Sequence, residues 1–334
     1  MAEAPSILVI GPAWVGDMVM AQCLFAALKE RWPDAAIDVL APAWAKPLVA
    51  RMPQVREGLE APFARGRLAL AARRRLGRAL AGRYDRAYVL PGSWKSALVP
   101  FFAGIPVRTG HRREMRYGLL NDIVPLPEAM KRKTAQAFAT LAGDAALRHP
   151  RLAVDGDNQA ALLAAHGLTA GGYAAFMPGA EFGPSKRWPA ASYAALAERL
   201  AARGLPVVLL GSPRDRPVTA EIAAAAPRAI DLAGRTRLED AVDLIAGARV
   251  AVTNDSGLMH IAAAVGVPVV AIYGSTSPAN TPPLTARREL VTLALDCSPC
   301  HRRECPLGHT DCMNRLAVER VLAAVDRLVP AAAP

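Results

Sequence analysis

The stretch Arg249-Val-Ala-Val-Thr-Asn-Asp-Ser-Gly-Leu-Met-His-Ile-Ala-Ala-Ala-Val-Gly-Val-Pro-Val-Val-Ala-Ile-Tyr273 decides the fold. A strand-sized apolar run, Arg249–Thr253, breaks at Asp255-Ser256-Gly257. A helix-length segment, Gly257–Val265, follows, and Pro268–Tyr273 is strand-sized again. Upstream the alternation repeats, with strands expected at Tyr173–Met177, Pro206–Leu210 and Ala229–Leu232 and helices at Ala190–Arg203, Asp215–Ala226 and Leu238–Ala246. Such alternation implies right-handed βαβ units around a parallel sheet. The start of the chain repeats it. Ile7–Ile10 runs into Gly11-Pro-Ala-Trp-Val-Gly-Asp17, then a helical pattern through Met18, Met20, Leu24 and Leu28 that ends near Trp32-Pro33, then Ile37–Leu40. Tyr84–Leu90 is a later strand, followed by a helix over Ser93–Phe102.

At about 100–200 residues per domain, 334 residues suit two domains. With 52% apolar residues and a mean hydropathy of +0.18, the chain is neither disordered nor fibrous. The densest apolar run, Val265–Tyr273, is too short to cross a bilayer. Met1-Ala-Glu-Ala-Pro-Ser6 lacks the basic n-region of a signal peptide, so a cytoplasmic protein is expected. Asp155-Gly-Asp-Asn158 and Gly167–Gly172 mark the linker region. The expectation is therefore an α/β chain of two Rossmann-like domains with parallel sheets facing a central cleft, at 1–165 and 166–315. A helix within 316–334 is expected to pack back on the first domain. In such sheets ligands bind at the carboxyl ends of the strands.

Forty basic and 29 acidic residues give a net charge of +11, and the pI is near 9.9. Residues 1–167 hold 23 basic against 14 acidic groups, whereas 168–334 hold 17 against 15, so nearly all the excess lies in the first half. Such asymmetry suits an anionic partner: nucleic acid, a membrane surface or a phosphorylated substrate. Nucleic-acid binding would call for aromatics among the basic residues, and 65–83 contains none. A dehydrogenase would call for Gly-x-Gly-x-x-Gly, and neither opening strand is followed by it.

Three post-strand loops carry the chemistry. Asp17 follows Gly11-x4-Gly16 and suits two roles, a helix-start residue favoured by the dipole or a general base. Met177-Pro-Gly-Ala-Glu-Phe-Gly-Pro-Ser-Lys186 puts a cation on a loop before a helix, where a phosphate would find both charge and free amides. A surface lysine is the plain alternative. Gly211-Ser-Pro-Arg-Asp215 adds a second loop to that rim. Ser256 and Gly257 can offer hydroxyl and amide donors to a diphosphate, and His260 stands one turn into the same helix.

Gly16-Asp17, Ser185-Lys-Arg-Trp-Pro189, Asn254-Asp-Ser-Gly-Leu-Met-His260 and Tyr273-Gly-Ser-Thr-Ser-Pro278 together resemble the heptosyltransferases of lipopolysaccharide core assembly. The resemblance spans residues 6 to about 325. Leu90-Pro-Gly-Ser-Trp-Lys-Ser-Ala97, Phe102–Pro106, Arg113-Glu-Met-Arg-Tyr-Gly-Leu-Leu-Asn-Asp122 and the Cys297–Cys312 segment resemble the branch that adds the second heptose. Gly92 departs from the family, which has Asn in its Pro-Asn-Ser pattern. The resemblance implies a GT-B fold and inverting transfer of L-glycero-D-manno-heptose from ADP-heptose to the first heptose of heptosyl-Kdo2-lipid A. Relatives acting at another core position are the alternative. It implies Asp17 as base and Lys186 as the cation that neutralises the leaving ADP. Gly179, Glu181, Gly211, Thr236, Asp255, Ser256, Gly257 and His260 become donor-binding positions. One carboxylate and no covalent intermediate suit a single displacement with inversion. The chain is read as lacking an Asp-x-Asp motif, so a metal-independent reaction without cofactor is expected, by a monomer peripheral to the inner membrane.

Under this resemblance the basic half faces an anionic glycolipid. Lys95, Arg112, Arg113 and Arg116 are expected on the acceptor sugars, and the eight arginines of 65–86 on lipid phosphates or the bilayer. A solvated helix face is the alternative for 65–86. Cys297-x2-Cys300-x4-Cys305-x6-Cys312 holds four thiols that could close a tetrahedron. The spacing matches no standard zinc motif, so reduced thiols packing a loop are expected instead. Cys23 reads as core.

Overall fold

A computed structural model describes residues 4–64 and 66–330; Met1–Glu3, where the signal-peptide reading begins, Arg65 of the basic cluster and Ala331–Pro334 lie outside the described residues. The chain divides into two units, Met1–Arg151 and Leu152–Pro334.

The first unit holds β1 (Ser6–Ile10), β2 (Ala36–Ala41), β3 (Glu57–Glu60), β4 (Arg86–Val89), β5 (Val107–His111) and β6 (Asp122–Val124). The second holds β7 (Ala174–Met177), β8 (Val207–Leu209), β9 (Ile230–Asp231), β10 (Val250–Asn254), β11 (Val269–Tyr273) and β12 (Arg288–Thr292). Every neighbouring pair is parallel. The orders are β3-β2-β1-β4-β5-β6 and β12-β11-β10-β7-β8-β9, so each sheet, counted within its own unit, runs 3-2-1-4-5-6. This is the doubly wound order, and its direction reverses at β1/β4 and at β7/β10. Loops leaving the carboxyl ends of those strands part there and open a crevice.

The boundary falls earlier than residue 165 because Asp155-Gly-Asp-Asn158 is a helix start rather than a linker. The Asp155 carboxylate accepts the Asn158 N–H at 3.1 Å and caps the helix Gly156–Ala165. Asn158 Nδ2 then donates to Asp243 at 2.8 Å, fastening that helix to its neighbour Leu238–Ala246. The sequence does contain an Asp-x-Asp tripeptide, Asp155-Gly-Asp157, but Asp155 in it caps the helix Gly156–Ala165. The last helix is Val318–Leu328. It buries Val321, Leu322, Ala324 and Val325 in the second unit's own core and pairs Glu319 with Arg199 and Asp326 with Arg203. Its apolar stripe covers the β10–β12 side of the sheet, which would otherwise face water. Among the described residues no helix is long and apolar enough to cross a membrane.

Candidate active site

In the second unit the site begins with an anchor. Trp188 is fully buried, donates its indole N–H to Leu316 O at 3.0 Å and stacks edge-on to Tyr193 with centroids 4.9 Å apart. With Trp188 fixed, the preceding residues must stay at the strand ends. The short helix Pro184–Lys186 delivers Lys186 Nζ to Asp255 Oδ2 at 2.6 Å and to the Asp255 main-chain oxygen at 3.3 Å. The two side chains are only 12% and 5% exposed. Asp255 follows β10 and Lys186 lies on the loop that follows β7, so the pair sits at the switch point. Asn254 ties the same loops from beneath: its Oδ1 accepts from Trp188 N–H and Tyr193 OH, and its Nδ2 donates to Pro178 O at 2.6 Å.

Asp255 is held from a third side. Thr276 Oγ1 donates to Oδ2 at 2.7 Å and Thr281 Oγ1 to Oδ1 at 3.4 Å, both from the loop after β11. Neither threonine was singled out from sequence, although Thr276 stands inside the Tyr273–Pro278 stretch. Its place directly after an interior strand was the available signal. Ser256 precedes the helix Gly257–Ala264, whose first amides have no partner inside the helix, and its hydroxyl lies 3.3 Å from that of Thr253. An ammonium has three N–H donors, and Asp255 takes two of those on Lys186. One remains, and with the amides from Gly257 onward this second unit can hold an oxyanion.

His260 is buried one turn further on. Burial lowers it to about 4, with Asp255 opposing and Lys186 assisting, so the imidazole is neutral in the folded chain. An unfolded histidine titrates near 6.5, so the unfolded chain takes up a proton that the folded chain refuses. This contribution is complete above pH 6.5 and is lost as pH falls towards 4, by about 3 kcal/mol in all. Denaturant midpoints of the wild type should therefore fall between pH 6.5 and 5 more steeply than those of His260→Gln. Equal slopes would show that His260 titrates normally.

The remaining donor-side positions are spread along the rim. Gly179 and Gly211 both back onto Asp215: a β-carbon at Gly211 would lie 2.9 Å from that of Asp215, and one at Gly179 would strike its carboxylate. Both glycines permit loop-to-loop packing. Glu181 pairs with Arg214 at 2.6 Å on the surface. Thr236 is half-buried on the loop after β9.

In the first unit Asp17 lies half-buried in the first turn of the helix Val15–Met20, after β1. A cavity of about 480 Å³ opens at the ends of β1, β2 and β4, with Gly11, Trp44, Phe63, Ser93 and Lys95 in its wall. Lys95 Nζ donates to Gly66 O at 2.5 Å. Arg112 and Arg113 are exposed, and the Arg113 stem crosses Gly92, where a β-carbon would meet its Cδ at 2.7 Å. A side chain at 92 would have to displace that stem. Arg116 corrects the expectation. It is 2% exposed and donates to Pro91 O at 2.6 Å and His111 O at 2.7 Å, so it orders the loop instead of offering its charge. Burial, with the nearby Arg113 charge, lowers it to about 10. Arg73 is likewise buried, 3.8 Å above the Phe63 ring, leaving Arg74, Arg75 and Arg78 of its helix in solvent.

All five cysteines are free thiols. Cys297, Cys300, Cys305 and Cys312 line one small cavity of about 20 Å³, but among the described residues no group of three or more His, Cys, Asp or Glu is arranged to hold a metal. Cys23 is buried, as expected for core.

The sequence profile of glycosyltransferase family 9 (heptosyltransferase) matches residues 73–311. Lipopolysaccharide heptosyltransferase 2 of Escherichia coli K12 is 44% identical over 97% of this chain and 98% of its own. Lipooligosaccharide heptosyltransferase 2 of Haemophilus influenzae is 47% identical over 86% and 88%. The solved E. coli ADP-heptose lipopolysaccharide heptosyltransferase II superposes with a TM-score of 0.85 at 43% identity, over 97% of this chain and 98% of that one. E. coli heptosyltransferase WaaC with ADP, 19% identical, shares the fold at a TM-score of 0.76 over 97% and 100%. The chain belongs to glycosyltransferase family 9, the heptosyltransferases, and is a glycosyltransferase with the GT-B fold.

Proposed function

We propose that the chain transfers L-glycero-D-manno-heptose from ADP-heptose to the first heptose of the lipopolysaccharide inner core, with heptosyl-Kdo2-lipid A as acceptor, in one inverting displacement. The observation that carries the reading is the buried Lys186–Asp255 pair at 2.6 Å beside the helix Gly257–Ala264. Asp255 aims the ammonium and leaves one N–H for the diphosphate. As the bond to the sugar breaks, negative charge grows on that leaving group, where a preset cation and helix amides act most strongly. Ser256 and Gly257 bind beside it, neutral His260 closes the back of the pocket, and Gly179, Glu181, Gly211 and Thr236 line the donor's rim. Asp17 takes the proton from the acceptor hydroxyl as it attacks. The reaction so read needs no metal.

Lys95, Arg112 and Arg113 meet the acceptor's carboxylates and phosphates, for which a guanidinium fork is suited. Arg74, Arg75 and Arg78 face lipid phosphates, so the protein works at the cytoplasmic face of the inner membrane, and it is read as a monomer. Incubation with ADP-heptose, read by mass spectrometry, should add one heptose to an acceptor already carrying one and none to an acceptor carrying none. Addition to the heptose-free acceptor would move the chain to another step of core assembly.

A further inference from the structure

Beyond Arg112 and Arg113, which the proposed transfer uses, the loop 112–117 combines features that the transfer does not. Glu114 and Met115 have φ of +43° and +45° in succession, in the left-handed region that L side chains other than Asn and Asp seldom adopt. Met115 is nonetheless 85% exposed and Tyr117 58% exposed. The base of the loop is fixed. Arg116 is sunk into the carbonyls of Pro91 and His111, the Glu114 carboxylate accepts the Trp94 N–H at 3.0 Å, and the Arg113 stem lies across Gly92. The apolar side chains are therefore held out into water by a rigid support. Trp94 is also exposed, and the one acid of the loop, Glu114, is engaged by the Trp94 main-chain N–H.

We propose that loop 112–117 is a membrane-docking tip that carries Met115 and Tyr117 into the interfacial layer of an anionic phospholipid bilayer, with Arg112 and Arg113 at the level of its headgroups. The partner follows from two independent signals. The first 167 residues carry a net charge of +9, which complements an anionic surface. A soluble anion would be answered by the arginines alone, whereas exposed Met and aromatic side chains gain only where an apolar layer receives them. Charge and apolar insertion together make reversible peripheral binding. The proposal rests on the glycolipid acceptor above in one respect: docking would bring a membrane-embedded acceptor within reach.

The test uses the full chain and the double variant Met115→Asp/Tyr117→Ser. Aspartate tolerates positive φ better than methionine, and both sites are exposed, so the variant should fold with an unchanged Tm. Co-sedimentation with mixed phosphatidylethanolamine–phosphatidylglycerol vesicles should show wild-type binding that the variant weakens roughly tenfold. With acceptor embedded in such vesicles the variant's KM should rise by a similar factor. With a water-soluble acceptor stripped of its acyl chains, kcat and KM should match the wild type. Equal vesicle binding by the two proteins would overturn the proposal. So would a KM raised equally for the soluble acceptor, which would place the loop on the sugar. If neither acceptor is glycosylated by the wild type, the functional reading fails, while the vesicle result still decides the docking tip.

Discussion

Asp17→Asn is expected to lower kcat by about a thousandfold while leaving the Kd for ADP-heptose unchanged, because removing a general base typically costs 10²–10⁴ in rate. The substitution keeps the shape of the side chain and its place in the first turn of Val15–Met20, so the main-chain bond from Ala21 N–H to Asp17 O survives. The ability to accept a proton as a carboxylate is lost. Under the proposed function the donor is held by residues of the second unit, so its affinity should not change. The sequence allowed Asp17 a second role, as an acid favoured by the helix dipole, and the two roles separate cleanly. A dipole contribution would cost about 0.3–1 kcal/mol of stability and nothing in rate. Isothermal titration with donor, a melting curve and single-turnover kinetics on the same variant distinguish them. Full turnover with a lowered Tm would make Asp17 a helix-start residue and remove it from the reaction.

How far the sequence could be read follows how apolar each strand is, which is highest inside the sheets, although the edge strand β9 was also read. β1, β2, β7, β8, β10 and β11 were legible because interior parallel strands are apolar on both faces. β3 reads Glu-Gly-Leu-Glu, β6 Asp-Ile-Val and β12 Arg-Glu-Leu-Val-Thr. β3, β6 and β12 are edge strands, where polar residues are tolerated and the pattern vanishes. β5 lies inside its sheet, between β4 and β6, but Arg108, Thr109 and Gly110 break its apolar run, so it too escapes a reading based on apolar strands. The site behaves similarly. Loops after interior strands were found because their strands were, but the bond from Lys186 to Asp255 crosses 69 residues and no spacing encodes it. Thr276 and Thr281 became visible only as partners of that carboxylate. Arg116 looked like a surface cation because its partners are main-chain oxygens, which a sequence does not distinguish. The choice of heptose as the transferred sugar came from the family resemblance, since helix and strand patterns fix a nucleotide-sugar scaffold without naming its sugar.

Lys186→Met should be damaging twice over, and the two losses can be taken apart. Its first effect is on stability. The Asp255 carboxylate, 5% exposed, would keep only the hydroxyls of Thr276 and Thr281, and breaking a buried pair by deleting one partner costs about 3–5 kcal/mol. Asp255→Asn should cost less, because the longer lysine can turn its ammonium towards water and the amide meets both threonines, its oxygen accepting from one hydroxyl and its nitrogen donating to the other. In the double variant Lys186→Met/Asp255→Asn no buried charge remains, and most of the lost stability should return, as replacement of whole buried pairs often permits. The second effect is on rate. Loss of one preset donor to a developing oxyanion lowers kcat by about 10²–10³, and nothing in the double variant restores a cation to that place. Urea midpoints should therefore show strong coupling between the two positions, whereas kcat should stay low in Lys186→Met and in the double variant alike. Recovery of both properties together would mean that Lys186 only shields Asp255. A stability unchanged by Lys186→Met would mean that the pair is solvated, and that the charge facing the diphosphate is far weaker than its burial implies.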